Sequence, residues 1–372
     1  MATHLAAVLP TKGQPFEVQA RLAPKPGPGE LLIAVKSVAL NPADHIMRST
    51  GLFIPTYPTI TGFDIAGLVL EVGDDVPTDH GPGPRFLPGI TRIAAYAASV
   101  WRSCDPDYGA FQERCLVPWQ HAVPLPDNGV SISWNQAATL PAAVQTPLCA
   151  WDAMGIPRMG EGAASRDIGK REALLIWGAS SSVGTMGVQT ARLLRDDPTS
   201  AFAAVYATAG AANKSYVGSL GADRVFDYKD PQVVNAIVSA ARSDGLVIRH
   251  CFLATGQLAL CQAVLKTFVG DQEGGAQMET AKIGSAPPVP ADAEVVSGVE
   301  TIMVMPPMVE EERLRQFQYW LGTHLRDNLA KGTIRPSPEP KVVGKGVEAI
   351  NDGLDLLLHG VSCTKLVVEL AE

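Results

Sequence analysis

Most of the fold follows from one segment, Trp177-Gly178-Ala179-Ser180-Ser181-Ser182-Val183-Gly184-Thr185-Met186-Gly187. A short apolar run at 172–177 leads into it, and a helical pattern covers 183–194. A strand that turns sharply into a helix beneath a pyrophosphate needs residues without bulk at the turn and free N–H groups at the helix start. Gly178, Ala179 and the three serines are the residues without bulk, and the start of the helix provides the free N–H groups. The segment therefore predicts a strand–turn–helix unit that binds a nucleotide.

The glycine spacing of this segment is not a clean G-x-G-x-x-G, so the pattern alone also fits a turn of small residues without a ligand. The elements that follow favour the nucleotide interpretation, because strands and helices alternate along the chain. The predicted strands lie at 203–208, 224–228 and 246–252, and the predicted helices lie at 213–220 and 231–241. A parallel sheet covered by helices on both faces is the expected result.

The residues at the end of the 203–208 strand bear on the choice of cofactor. NAD sites usually place an acidic residue there to bind the ribose 2′-hydroxyl. This chain has Ala207-Thr208-Ala209-Gly210-Ala211-Ala212-Asn213-Lys214, which contains no carboxylate. The small residues leave room for a phosphate and Lys214 would neutralise it, although a solvated lysine at a helix start fits almost as well. The sequence predicts NADP(H) rather than NAD(H).

The remaining regions show other sequence patterns. Residues 1–141 contain short β segments separated by proline and glycine, which predicts a barrel-like or sandwich-like β domain. Residues 271–298 predict an irregular connection with a short strand around Glu294-Val295-Val296. Towards the end of the chain we expect helices at 310–329 and 347–358 and a strand at 365–370.

The composition restricts the class of protein. The 372 residues are 46% hydrophobic and 18% charged, which supplies buried cores and argues against disorder. The net charge is −8 and no basic run offsets it, so nucleic acid is not an expected partner. No apolar run approaches the ~18 residues that span a bilayer, so no membrane partner is expected, and a secretory signal is not seen. Six cysteines without a C-x-x-C predict a reduced, cytoplasmic protein.

Seven short motifs occur along the chain in a recognisable order. They are Pro28-Gly29-Glu30, Ala39-Leu40-Asn41-Pro42-Ala43-Asp44, Gly62-Phe63-Asp64-Ile65-Ala66-Gly67, Gly109-Ala110-Phe111-Gln112-Glu113, Ala137-Ala138-Thr139-Leu140-Pro141, the 177–187 segment and Leu220-Gly221-Ala222-Asp223. With them the chain resembles the medium-chain dehydrogenase/reductases over essentially its whole length. The resemblance implies an α/β protein with two domains: a GroES-like, β-rich catalytic domain at 1–141 and 310–372, and a Rossmann-type NADP-binding domain with a doubly wound parallel sheet at 142–309.

The resemblance also bears on metal chemistry. Zinc-dependent members of the family carry a Cys-His pair where this chain has Asn41-Pro42, and Gly-His-Glu where it has Gly62-Phe63-Asp64. Asn, Pro and Phe cannot replace thiolate and imidazole ligands, and a four-cysteine zinc lobe is absent from the sequence. We therefore expect no zinc and no metal site. Hydride transfer to a conjugated C=C bond is the chemistry that remains, with hydrogen bonds to the enolate oxygen.

Two zinc-free groups of the family share the Asn-Pro-x-Asp motif. One contains quinone oxidoreductase-like enzymes, and the other contains trans-acting enoyl reductases that serve fungal polyketide synthases. The second group is favoured, because its members tend to carry an insertion like that at 155–169 and a similar 105–111 stretch, although they often have Lys where this chain has Ile46. The expected activity is NADPH-dependent reduction of the α,β-double bond of a polyketide intermediate that is tethered to a polyketide synthase or hybrid synthase, by a monomeric enzyme. A stand-alone NADPH quinone or enone oxidoreductase is the alternative, and a non-catalytic NADPH-binding protein is a third reading.

The resemblance assigns the cofactor contacts to short stretches. They are Ala43, Asp44, His45 and Ile46 near the nicotinamide, Ser180, Ser181, Ser182 and Val183 at the pyrophosphate, Gly210, Ala211, Ala212, Asn213 and Tyr228 at the adenosine 2′-phosphate, Phe268 and Val269 at the nicotinamide ribose, and Ser362 and Cys363 at the nicotinamide end. A half-buried strand-end residue is the alternative for Tyr228, and plain core residues are the alternative for Phe268 and Val269.

Substrate contacts are assigned in the same way to two segments. They are Thr139, Leu140, Pro141, Ala142, Ala143, Val144, Gln145 and Thr146, and then Val295, Val296, Ser297, Gly298 and Val299. Packing between the domains explains both segments equally well. No catalytic residue stands out. His45 is the candidate proton relay, because it lies beside a predicted cofactor motif, although such a histidine more often caps a helix.

Overall fold

The computed structural model describes residues 2–79, 81, 83–127, 129, 131–161, 171–269 and 280–370. The chain divides into two compact units, the first made of Met1–Gln145 and Pro307–Glu372 and the second of Thr146–Pro306. Residues 162–169 of the expected insertion at 155–169 lie outside the described residues. Residues 271–279 of the expected irregular connection lie outside them as well. None of the described helices combines the length and the apolar character needed to cross a membrane.

The described residues form fifteen strands and ten α-helices. The strands are β1 Thr3–Val8, β2 Glu17–Leu22, β3 Glu30–Ala39, β4 Asp64–Val72, β5 Arg92–Tyr96, β6 Arg114–Pro118, β7 Ala122–Pro124, β8 Glu172–Trp177, β9 Phe202–Ala209, β10 Arg224–Asp227, β11 Val247–Leu253, β12 Ala281–Ser285, β13 Val299–Met303, β14 Pro340–Lys345 and β15 Lys365–Glu369. The helices are α1 Pro42–Thr50, α2 Trp134–Ala138, α3 Pro141–Met154, α4 Ser182–Asp196, α5 Lys214–Ser219, α6 Val233–Ser243, α7 Leu258–Lys266, α8 Glu310–Tyr319, α9 Arg326–Ala330 and α10 Ile350–Leu358.

The first unit is organised around β3, whose ten residues are almost all buried. The strand order of its main sheet is β14-β15-β3-β4-β5-β7, and β6 also pairs with β3. All pairs in the described part of this sheet are antiparallel except β14 with β15. The β3–β4 pairing runs from Leu31 opposite Val72 to Ala39 opposite Asp64, which places Asp64 at the start of β4, opposite the end of β3 that leads into α1. This is the predicted β-rich domain.

The second unit contains the predicted parallel sheet. Its strand order is β10-β9-β8-β11-β12-β13, and each described pair is parallel. Counted within this unit, the order is third, second, first, fourth, fifth, sixth, so it reverses between β8 and β11. Ligands of doubly wound sheets bind at the carboxyl ends of the strands at this reversal. Trp177 and Leu253, which are paired, are the last residues of the two strands.

Two predicted elements differ from the structure. The short strand expected around Glu294-Val295-Val296 is wrong: these residues have no regular structure, and the strands are β12 and β13 on either side. β12 has the sequence Ala-Lys-Ile-Gly-Ser, which has no apolar pattern typical of a buried strand. Its last three residues are nevertheless buried, because neighbouring strands and helices cover them. The helix expected over 310–329 is α8 and α9 joined by a π-helical segment, Trp320–Leu325. π segments widen a helix locally.

Candidate functional site

The turn after β8 requires glycine at two positions. Gly178 has a φ of +75°, and a Cβ there would lie 2.5 Å from the carbonyl oxygen of Thr255. A Cβ on Gly184 would lie 2.3 Å from the carbonyl oxygen of Gly178. Both distances are far below van der Waals contact with rigid backbone, so neither position tolerates a side chain. The turn therefore holds the start of α4 close to the ends of β8 and β11.

Hydrogen bonds fix the shape of the same turn. The Ser181 hydroxyl accepts the Gly184 N–H at 3.1 Å and donates to the Gly178 carbonyl at 2.8 Å, so Ser181 caps α4. Thr208 in β9 accepts the Gly178 N–H at 3.0 Å with its hydroxyl and the Ala179 N–H at 2.8 Å with its carbonyl. The turn is thus tied to β9 as well as to its own helix.

The start of α4 presents donors for an anion. The first N–H groups of a helix have no intrahelical partner, and with Gly184 satisfied by Ser181 this leaves those of Ser182 and Val183. The Ser182 hydroxyl oxygen is buried and has no hydrogen-bond partner among the described residues. The positive end of the helix dipole lies at the same place. These groups fit the pyrophosphate of a dinucleotide, and Ser180, which precedes them, is half-buried at the same turn.

A second polar region follows β9. Gly210 lies next to Tyr228, because a Cβ on Gly210 would lie 3.6 Å from Cε1 of that ring. Tyr228 follows β10 and is 43% exposed, and Lys229 Nζ lies 5.9 Å from the ring centre. Ala211 and Ala212 are exposed, as is Lys214 at the start of α5, and Asn213 is half-buried. The structure therefore brings Gly210 and Tyr228 together in a region that holds Lys214 and Lys229 and also the carboxylates of Asp227 and Asp230.

Of the predicted contact residues that follow β11 in the sequence, some are buried in the core and others are exposed. Phe268 is 3% exposed and belongs to the core of the second unit, and Val269 packs against that core. Val269 also contacts Gly298, where an added Cβ would lie 2.3 Å from Val269 Cγ1. Val295 is 94% exposed. Val296 packs against the core, the Ser297 carbonyl accepts the Lys266 ammonium at 3.0 Å, and Val299 begins β13.

In the first unit, a buried polar cluster lies where α1, α3, β4 and β15 begin. Asp64 is fully buried and Lys365 is 4% exposed. Lys365 Nζ donates to Asn41 Oδ1 at 2.6 Å and to Asp64 Oδ2 at 3.1 Å. Asn41 Nδ2 donates to Asp64 Oδ2 at 3.0 Å, and the Ala142 N–H donates to Asp64 Oδ1 at 2.7 Å. We call Asn41, Asp44, Asp64 and Lys365 the buried polar cluster.

Asp44 is the second carboxylate of this cluster. Its Oδ2 accepts the Asn41 N–H at 2.7 Å, and its buried Oδ1 has no partner among the described residues. Burial raises the pKa of Asp44 to about 7, and the charge of Asp64 adds to the rise, whereas the hydrogen bond from Asn41 and the charge of Lys365 oppose it. The carboxyl group therefore carries a proton over much of the acid and neutral range.

The other predicted contacts on α1 lie nearer the surface. Ala43 is exposed, and His45 and Ile46 are half-buried. Arg48 Nη2 lies 3.2 Å from His45 Nδ1, and Arg48 also pairs with Asp355. Because a guanidinium group donates and does not accept, a hydrogen bond between these two groups requires the neutral ring, with Nδ1 as the acceptor and the proton on Nε2. His45 thus has a donor N–H available.

The remaining predicted residues are placed as follows. In the 139–146 segment, Thr139, Leu140, Pro141, Ala143, Val144 and Gln145 are buried, and Ala142 and Thr146 are half-buried. Ser362 is exposed, and Cys363 is half-buried with a φ of +51°. Burial raises the pKa of the Cys363 thiol, so it remains a neutral thiol rather than a thiolate.

The donor set of the first unit does not fit zinc. In the part of the chain that the structure describes, no three His, Cys, Asp or Glu side chains come together as a metal site. Phe63 packs with Met47 and Cys104 in an apolar cluster and has no ligating atom. Asn41 and Asp64 already bind the Lys365 ammonium group, which supplies the positive charge at this place.

Sequence reasoning missed Lys365. Its chemistry depends on Asn41 and Asp64, which are 324 and 301 residues away in the sequence. The one available signal was a charged residue at the head of the apolar strand Lys365-Leu366-Val367-Val368. A lysine is almost never fully buried unless it is paired, but the strand pattern alone does not show the burial.

Comparison with known proteins gives consistent results. Residues 27–127 match the family described as the alcohol dehydrogenase GroES-like domain. A protein named trans-enoyl reductase from Aspergillus flavipes is 38% identical over 370 residues, which is 99% of each chain. A trans-enoyl reductase from Aspergillus terreus is 39% identical over 317 residues, 84% of this chain and 96% of that one. Among solved structures, an alcohol dehydrogenase superfamily protein from Novosphingobium aromaticivorans has a TM-score of 0.73 at 20% identity, covering 99% of this chain and 100% of that chain.

Proposed function

This chain belongs to the medium-chain dehydrogenase/reductase family, and from that premise we propose that it is a trans-acting enoyl reductase. Its substrate is a polyketide intermediate with an α,β-double bond, tethered to a polyketide synthase or hybrid synthase, and its reductant is NADPH. The observation that carries the proposal is the likeness to a protein named trans-enoyl reductase over 99% of both chains at 38% identity. The geometry of the two units supports it at the positions described below.

The turn at 178–184 supports a dinucleotide. Its backbone cannot accept a side chain at Gly178 or Gly184, and the N–H groups of Ser182 and Val183 lie at the open end of α4, beside the unpartnered Ser182 hydroxyl. These residues would hold the pyrophosphate. When bound, a reduced nicotinamide supplies the hydride for the β-carbon of the substrate. The role of this chain is to bind the cofactor, to orient it and to stabilise charge on the substrate oxygen.

The region after β9 supports NADP(H) rather than NAD(H). No carboxylate occurs between Ala207 and Lys214, so that stretch itself places no negative charge against a 2′-phosphate. Gly210 leaves open the space beside Tyr228, whose hydroxyl is a hydrogen-bond donor, and Lys214 is exposed at the start of α5. Charge-assisted hydrogen bonds to phosphate are among the stronger polar contacts that proteins make. We propose that these residues bind the 2′-phosphate.

We also propose that the reaction proceeds without zinc. The support is the donor set, since Asn41 and Asp64 bind an ammonium group and Phe63 offers no ligand. A Lewis acid is the usual means by which zinc-dependent members of this family stabilise an alkoxide, and this donor set does not suit one. Reduction of a conjugated C=C bond places the developing charge on a thioester oxygen, which hydrogen bonds stabilise. His45 is the candidate for delivering a proton; it would do so as the imidazolium, with Nδ1 protonated and released from Arg48, because a neutral ring that gave up its one N–H would be left as an imidazolate.

The proposal is tested by following NADPH oxidation with crotonyl and longer enoyl thioesters of pantetheine, and then with the same chains on a carrier protein. We expect turnover with the thioesters, and a higher kcat/KM for the carrier-bound chains. Oxidation of NADPH with quinones and none with either thioester would overturn the proposal in favour of a stand-alone quinone oxidoreductase. Tight NADPH binding without turnover of any alkene or quinone would overturn it in favour of a binding protein.

A further inference from the structure

Lys365 is an unusual residue for the first position of a strand. It is 4% exposed, and a charged group in such a place is costly unless it is paired and hydrogen-bonded. Its ammonium group makes two contacts, with Asn41 Oδ1 at 2.6 Å and with Asp64 Oδ2 at 3.1 Å. An apolar residue would begin β15 without this cost, so the charge calls for an explanation beyond folding of the strand.

The two acceptors of Lys365 lie at the starts of two helices. Asn41 immediately precedes α1, and its N–H donates to Asp44 in the first turn of that helix. Asp64 accepts the N–H of Ala142, the second residue of α3. Because Pro141 has no N–H and the first N–H groups of a helix lack intrahelical partners, Asp64 acts as the cap of α3. The charge of Asp64 is also favourable at a helix N-terminus.

One ammonium group therefore fixes two helix starts that carry proposed contacts. Residues 43–46 follow Asn41 in α1 and are assigned to the cofactor, and residues 139–146, assigned to the substrate, include the Ala142 amide. Resting on the proposed function, we propose that Lys365 is a positioning residue for the enoyl reduction. It holds Asn41 and Asp64 in place, and through them it holds the starts of α1 and α3.

The charges of the cluster decide which variants are informative. Lys365→Met leaves Asp64 buried without its cation, which strongly destabilises a protein. The double variant Lys365→Met/Asp64→Asn removes both charges while residue 64 keeps an oxygen for the Ala142 N–H, and such neutral replacements are often tolerated. The double variant therefore separates loss of positioning from loss of folding. Lys345→Met is the matched control, because Lys345 pairs with Glu369 across β14 and β15 but its side chain is 79% exposed.

The experiment measures NADPH-binding stoichiometry by fluorescence titration, turnover of an enoyl thioester per NADPH-binding site, and hydrogen exchange of the Ala142 amide. For the double variant we expect full stoichiometry, faster exchange at Ala142, and turnover per site reduced about tenfold to 100-fold. The Lys345→Met control should match the wild type in all three. A double variant that binds NADPH fully and turns over at the wild-type rate per site would overturn the proposal, because a merely structural lysine changes the number of sites and not their rate.

A substitute variant covers the case in which the double variant fails to fold, and separate measurements cover the case in which the proposed function fails. If the double variant does not fold, Lys365→Arg takes its place, since it keeps the charge but alters the contacts with Asn41 and Asp64. Fast exchange at Ala142 with normal turnover per site in that variant would overturn the proposal equally. If the wild type reduces no enoyl thioester, the proposed function fails, and the exchange and NADPH titrations still report whether Lys365 fixes the two helix starts.

Discussion

The pH dependence of stability is a sharp probe of the buried polar cluster, and Asp44→Asn isolates the group responsible. The Asp44 carboxyl is fully buried, with Asp64 in β4 and Lys365 in β15 as the charged groups that face it and Asn41 as its hydrogen-bond donor. Burial raises its pKa from 3.8 to about 7. The folded protein therefore binds this proton more tightly than the unfolded chain does.

The sign and size of the effect follow from linkage. Between pH 3.8 and about 7 the folded state holds more of this proton than the unfolded state, so the free energy of unfolding falls as the pH rises and levels off above the folded pKa. A rise of about 3 pKa units corresponds to about 4 kcal/mol in total, of which about 3 kcal/mol is lost between about pH 5 and pH 8. This portion of the pH dependence belongs to Asp44.

Urea unfolding of the wild type and of Asp44→Asn across that pH range provides the assay. Asparagine cannot ionise, but it keeps an oxygen for the Asn41 N–H. We expect the stability of the wild type relative to the variant to fall by about 3 kcal/mol from about pH 5 to pH 8. Asp352→Asn, at an exposed position in the first turn of α10, is the control and should run parallel to the wild type. An Asp44→Asn curve that also runs parallel would refute the reasoning.

Three other outcomes are expected. Gly184→Ala places a Cβ 2.3 Å from the Gly178 carbonyl oxygen and should weaken NADPH binding about 100-fold or more in a fluorescence titration. The control Gly218→Ala, at a position with open space around it, should leave NADPH binding unchanged. Equal affinities of the two variants would contradict the assignment of the turn. Lys214→Ala should weaken NADPH binding about tenfold and leave NADH binding unaffected, and an equal loss for both cofactors would remove Lys214 from the 2′-phosphate site. Treatment with a chelator should leave turnover unchanged, and a loss that added zinc restores would contradict a metal-free reaction.

The features that could be predicted from the sequence are those that depend on local residues. The 177–187 segment specifies its own turn, because Gly178 needs a positive φ and Ser181 caps the helix that follows. The alternation of strands and helices after it specifies a parallel sheet, since strands buried on both faces read as short apolar runs. Both conclusions need few contacts with distant parts of the chain.

The features that could not be predicted depend on distant residues. β12 contains Lys282 and Gly284 and becomes a strand because β11 and β13 pair with it on both sides. The buried polar cluster joins Lys365 to Asp64 across 301 residues, and neither residue reveals its partner locally. The family resemblance assigned Asp44 to the cofactor, but its raised pKa could not be predicted, because that pKa depends on the burial of Asp44 and on the nearby charge of Asp64.

The most direct test of the account uses NADPH with deuterium at the transferred position of the nicotinamide and an enoyl thioester as substrate, and locates the label in the product by mass spectrometry and NMR. We expect a saturated thioester with one deuterium at the β-carbon, and a much slower formation of this product at low NADPH when Gly184→Ala replaces the wild type. A product without deuterium, or an alcohol labelled at the former carbonyl carbon, would contradict hydride delivery to a conjugated double bond by this protein.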